Sequence, residues 1–99
     1  MDFTIIWLED ALDDLGQLVR DIAQDNPHAA RKMGDTIIEK ASRLGRFPRL
    51  GKVFRKLGRD EVREILVYPY RVIYEIQDSS KTIFILSLWP GARQEPHIG

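Results

Sequence analysis

The link Gln24-Asp25-Asn26-Pro27 constrains this chain more than any other stretch. Before it, Ala11, Leu12, Leu15, Leu18, Val19, Ile22 and Ala23 recur by three and four over residues 9–24, the apolar stripe of an amphipathic helix. After it, Ala30, Met33, Ile37, Ala41 and Leu44 form a second stripe. Asn26 suits an N-cap because its side chain accepts an orphan amide hydrogen. Pro27 suits the first helical position because it has no amide hydrogen to lose. A link this short forces the two helices into an antiparallel hairpin. Glu9, Asp10, Asp13 and Asp14 crowd the first turns, where the positive end of the helix dipole favours them. Gly45 is placed to end the second helix in the left-handed conformation.

A hairpin of amphipathic helices needs an apolar face to cover, and strands lie on both sides of it in the sequence. Phe3-Thr4-Ile5-Ile6-Trp7 is short, β-branched and aromatic, which suits a strand. Residues 62–67, 70–77 and 82–89 read as three more, and in the middle one Tyr70, Val72, Tyr74 and Ile76 alternate with Arg71, Ile73 and Glu75. The turns Tyr68-Pro69 and Asp78-Ser79-Ser80-Lys81 are short enough to force an antiparallel meander, which Pro90-Gly91 ends. Residues 46–60 contain Pro48, Gly51 and Gly58 and read as a loop with at most one turn of local structure. The expected class is α+β in the order β-α-α-β-β-β, a helical hairpin packed on an antiparallel sheet. The 99 residues suffice for one such domain.

The chain has no cysteine, which excludes disulfides, thiolate zinc sites and cysteine nucleophiles. His28 and His97, the two histidines, stand at a helix start and in the tail, so neither a metal nor a cofactor is expected. Apolar runs such as Ile83-Phe84-Ile85-Leu86 are far too short to span a bilayer, and Met1-Asp2-Phe3 lacks the basic region of a signal peptide. The expectation is a cytoplasmic protein without membrane contact.

Fifteen bases balance fifteen acids, yet the charges are segregated. Residues 1–25 hold seven acids and one base, residues 26–71 twelve bases and five acids. Arg43, Arg46, Arg49, Lys52, Arg55, Lys56 and Arg59 follow one another with no acid between them, a density that attracts anions. A solvated loop is the plain alternative. Against it, Phe47, Leu50, Val53, Phe54 and Leu57 are interleaved with the bases, and idle loops have little use for them.

Hydrolytic and phosphate-binding motifs are missing. Ser42, Ser79 and Ser80 have no nucleophile-elbow context, and no Gly-rich loop follows a strand. Asp13-Asp14 and Asp60-Glu61 read as helix-start and turn residues. Arg63, Arg71 and Arg93 lie on or just past the meander strands. Presented by one sheet, they would grip a phosphate and stabilise the charge of phosphodiester cleavage. Alternatively, Arg63 pairs with Glu75 across the sheet and the others are surface residues; spacing leaves both open. The only proton-transfer group in the tail is His97.

Several segments, in order, carry a resemblance. They are Ala11-Leu12-Asp13-Asp14-Leu15, Asp25-Asn26-Pro27-His28-Ala29-Ala30, Leu44-Gly45-Arg46-Phe47-Pro48, Val62-Arg63-Glu64, Tyr68-Pro69-Tyr70-Arg71-Val72-Ile73-Tyr74 and Pro90-Gly91-Ala92-Arg93. Together they resemble the RelE/ParE superfamily of toxins from bacterial toxin–antitoxin modules, over nearly the whole chain. The RelE-like branch cuts messenger RNA in the ribosome with basic residues on the sheet and usually a Tyr or His near the C-terminus. Arg93 matches that pattern. However, residues 94–99 contain no tyrosine, and Val62 and Leu66 stand where bases are usual. The ParE-like branch poisons DNA gyrase and often ends in a His-Gly-Ala-Arg-like motif, matched at Gly91-Ala92-Arg93 with Pro90 in place of the histidine.

The resemblance therefore implies a ParE-like gyrase poison. A ribosome-dependent nuclease using Arg63, Arg71 and Arg93 is the alternative, and an antitoxin-binding module without toxicity the third reading. It also implies a cognate antitoxin whose acidic, amphipathic C-terminal segment wraps the toxin. Arg46, Phe47, Arg49, Lys52, Phe54, Arg55, Lys56 and Leu57 are its expected receivers, and Trp89, Arg93 and His97 the expected target-contacting residues.

Overall fold

In the computed structural model, which describes residues 2–91, the hairpin link behaves as its composition demands. Strand β1 (Thr4–Trp7) leads into helix α1 (Glu9–Ala23) and helix α2 (Pro27–Ser42). Asn26 Oδ1 accepts the Ala29 amide at 3.0 Å, and Pro27 opens α2. Next come β2 (Lys52–Val53), β3 (Val62–Val67), β4 (Tyr70–Gln77) and β5 (Thr82–Pro90), with single 3-10 turns at Arg43–Gly45 and Arg55–Leu57. The order is the expected one apart from β2, which forms inside the stretch read as loop by pairing Lys52 and Val53 with Glu64 and Arg63.

The sheet runs β1-β5-β4-β3-β2. Strands β3, β4 and β5 make the antiparallel meander, but β1 joins β5 in parallel, Thr4 opposite Thr82 through Trp7 opposite Ile85. The sheet is therefore mixed. Parallel neighbours need a long crossover, and everything between β1 and β5 supplies one. Tyr74 faces Ile85 while Ile73 faces Ser87, so Leu86 is an extra residue on β5. This bulge lets Ile83, Ile85 and Leu88 all reach the helix side, while Leu86 packs on the other.

The main core lies between hairpin and sheet, where Ala11, Leu18, Ile37 and Leu44 meet Val72, Tyr74, Ile76, Ile83 and Ile85. A smaller core on the far face joins Phe54, Val62 and Ile73 with Leu86 and Trp89. Gly45 does not take the expected left-handed conformation; positive φ occurs at Gly58 and Lys81. Instead α2 tightens into the 3-10 turn. Gly45 is needed there because a Cβ would lie 2.8 Å from the Phe3 carbonyl oxygen, while its own carbonyl takes the Phe3 amide at 2.7 Å. Among the described residues, no helix is long and apolar enough to cross a membrane.

Candidate functional site

Strands β3 and β4 are joined by the two residues Tyr68 and Pro69, so Val67 pairs with Tyr70, Leu66 with Arg71 and Arg63 with Tyr74. Paired residues share a face, and Tyr74 belongs to the helix-side core. Arg63 therefore lies on the helix side and Arg71 on the far side. The sheet separates two of the three arginines that a phosphate-gripping set would require to converge. Arg63 spends its donors on backbone, Nε to the Asp60 carbonyl at 3.0 Å and Nη1 to the Gly51 carbonyl at 2.9 Å. Nor does it pair with Glu75, which stands opposite Val62 and binds Arg59.

On the far face Arg71 meets Glu64 in a bidentate ion pair, Nε to Oε1 at 2.7 Å and Nη2 to Oε2 at 2.8 Å. Their side chains are only 13% and 9% exposed. The Phe54 and Trp89 rings pack together next to the guanidinium, with centroids 5.9 and 5.6 Å from it, and meet each other edge to face at 5.3 Å. Such an arginine is held by its carboxylate and covered by aromatic rings, which suits structural cross-linking better than capture of an incoming phosphate. Glu64 escaped the sequence reading. Its signal was available: counting across a two-residue turn places it diagonally from Arg71 on one face of the hairpin.

The basic segment, residues 43–59, is anchored from beneath. Tyr74 Oη donates to the Pro48 carbonyl at 2.7 Å and accepts the Gly51 amide at 2.9 Å. Gly51 has no room for a side chain, since a Cβ would lie 2.4 Å from the Glu64 carbonyl oxygen. Burial pushes the Tyr74 phenol above its ordinary pKa, against the opposing pull of the Gly51 amide. Phe54, expected to line an open groove, is 1% exposed and belongs to the second core. The alternation around it explains the difference, because Phe54 follows β2 and turns beneath the sheet where Val62 and Ile73 await it.

Between these anchors the segment faces outward. Arg46, Lys52 and Arg55 are exposed and make no ion pair among the described residues, and Phe47 and Leu57 are 58% and 44% exposed. Lys56 lies in the second 3-10 turn. Arg49 binds Asp78 at 2.7 Å, which holds that carboxyl below the usual aspartate range. Beside the segment runs an open groove of about 710 Å³ with Lys40, Arg43 and Lys52 on its walls and Leu50, Ile65 and Leu66 as apolar surface. Its chemistry suits an anionic chain with apolar side chains of its own. Trp89 is half-buried against Phe54, and Arg93 and His97 lie outside the described residues. Among the described residues, no His, Asp and Glu side chains gather into a group able to hold a metal ion.

The sequence profile of the ParE toxin of type II toxin-antitoxin systems, parDE, matches residues 5–95. The chain belongs to this ParE toxin family. Solved structures agree on the fold. A chain of the chromosomal ParDE TA system from P. aeruginosa superimposes with a TM-score of 0.70 at 21% identity, over 89% of this chain and 95% of that one. The toxin-antitoxin complex RelBE2 from Mycobacterium tuberculosis gives 0.65 at 26% identity, over 91% and 99%. The isolated E. coli RelE toxin gives 0.62 at 18% identity, over 94% and 88%. No curated protein matches the sequence. The ParE profile and the RelE likeness together cover both branches of the superfamily, so the family fixes a type II toxin and its fold while leaving the target open.

Proposed function

We propose that this ParE-family chain poisons DNA gyrase and is neutralised by a cognate antitoxin whose acidic, amphipathic C-terminal segment lies against residues 46–57. The observation that supports the gyrase reading over messenger RNA cleavage is the division of the arginines. Cleaving a phosphodiester needs cations that converge on the phosphate and a proton-transfer group beside them. Here Arg63 serves the backbone of one face, and Arg71 is locked to Glu64 on the other. For the antitoxin, the supporting chemistry is the groove of cations and apolar side chains beside the basic segment. Gyrase is an intracellular target, so the protein acts in the cytoplasm.

The deciding experiment adds purified protein to a gyrase supercoiling reaction and, separately, to ribosomes translating a defined message. Inhibited supercoiling with intact message supports the reading. Codon-phased cuts that vanish with Arg93→Ala move the protein to the nuclease branch. Neither effect, with antitoxin still bound, leaves a binding module without toxicity. Removal of residues 93–99 tests Arg93 and His97 together: growth arrest should disappear while antitoxin binding persists.

A further inference from the structure

The charge segregation visible in the sequence becomes two separate surfaces. On α1, Asp10, Asp14, Gln17 and Asp21 fall on one helical stripe. Asp14, Gln17 and Asp21 form one wall of a cleft of about 460 Å³ whose other wall is Pro69, Tyr70, Leu88 and Trp89. The Asp14 carboxylate is held in place, since one of its oxygens accepts the Leu88 amide at 3.0 Å. None of Asp10, Asp14 and Asp21 forms an ion pair among the described residues. Carboxylates beside the helix-side residues Tyr70 and Leu88 suit a guanidinium or ammonium group carried on an apolar stem.

Groups of that chemistry stand elsewhere on the same chain, and among the described residues no Arg or Lys lines the cleft. Arg46, Lys52 and Arg55 are exposed without ion-pair partners among the described residues, beside exposed Phe47 and Leu50. The cleft opens at the Pro69 end of β4, whereas Arg49 is tied to Asp78 just past the other end of this eight-residue strand. About 26 Å of strand lies between them.

We infer that a second copy of the chain supplies the cations: the acidic cleft of one molecule receives the basic segment of the next, head to tail. This contact uses two different patches, so each added copy leaves one cleft and one basic segment open, and growth continues past the dimer. It does not depend on the gyrase reading. An acidic partner bound along residues 46–57 occupies the same cations and disperses the assembly.

Sedimentation equilibrium on the full chain tests this. At ~100 μM protein in ~50 mM salt, the weight-average mass should exceed twice that of the monomer, and at ~0.5 M salt it should fall to the monomer's because exposed charges are then screened. Two charge-reversed proteins separate this contact from unspecific stickiness. Asp10→Lys with Asp21→Lys, and Arg46→Glu with Lys52→Glu and Arg55→Glu, should each be monomeric with a cooperative melt. Mixed one to one, they should associate again, because the intact basic segment of the first fits the intact acidic cleft of the second, and the reversed segment of the second fits the reversed cleft of the first. Should a reversal fail to fold, Asp10→Asn with Asp21→Asn should weaken wild-type association at least about fivefold. A monomeric wild type at low salt overturns the inference, and so does association unchanged in the folded variants or a mixture that stays monomeric.

Discussion

Arg71 and Glu64 share two hydrogen bonds on the sheet face turned away from the helices, beside the packed rings of Phe54 and Trp89. Removing Glu64 takes two charge-assisted hydrogen bonds from a largely buried guanidinium. Glu64→Ala should therefore destabilise the fold by about 3–5 kcal/mol, whereas replacing both residues by methionine should cost far less. Urea unfolding of the single and double variants checks this. A Glu64→Ala protein as stable as wild type would return Arg71 to the pool of available phosphate-binding cations.

Phe47 and Phe54 look alike in sequence and should behave oppositely. Phe54→Ala opens a cavity in the second core and should cost about 3–5 kcal/mol. Phe47→Ala should leave stability within about 0.5 kcal/mol of wild type. If the antitoxin lies where proposed, Phe47→Ala should speed its dissociation about tenfold, read by surface plasmon resonance.

Arg55→Glu with Lys56→Glu should slow antitoxin association at least about tenfold at low ionic strength, because outlying charges steer the encounter. Stopped-flow measurement at rising salt should show the wild-type rate falling towards the variant's. A rate indifferent to both would leave the segment as solvated surface.

Tyr74→Phe removes the hydroxyl that holds Pro48 and Gly51 and should cost about 1–3 kcal/mol. It should also alter alkaline behaviour. The folded phenol titrates above its ordinary value of 10.0, so the unfolded chain loses this proton first. Stability from this group is complete below the unfolded pKa and is lost as pH rises through the folded one. Denaturant midpoints should therefore decline more steeply above about pH 10 in wild type than in Tyr74→Phe.

The sequence makes the secondary-structure order legible because its signals are local: a cap and a proline at Asn26-Pro27, and turns too short for anything but a meander. What it hides is long-range. The parallel partnership of β1 with β5 joins Thr4 to Thr82, and no nearby residue encodes it. Gly45 reads as a helix stop, yet the residue that forbids a side chain there is Phe3, far away in sequence. The site divides in the same way. The exposed cations Arg46, Lys52 and Arg55 stand where composition puts them, whereas Phe54 is drawn inward by Val62 and Ile73. The face of each arginine follows from parity across the Tyr68-Pro69 turn, which overall spacing does not convey.

The anchors and cations of the basic segment occupy separate registers. Gly45, Pro48, Gly51 and Phe54 touch the body of the molecule at every third position, and Arg43, Arg46, Arg49, Lys52 and Arg55 point outward in a second series of the same period. One set carries the architecture and the other the vocabulary. If the antitoxin lies along this segment as proposed, mutation can rewrite the outward letters while the footings stay in place, so sister modules in one genome could diverge in which antitoxin silences which toxin without either toxin having to refold. Insulation between such modules is then a matter of a few exposed codons.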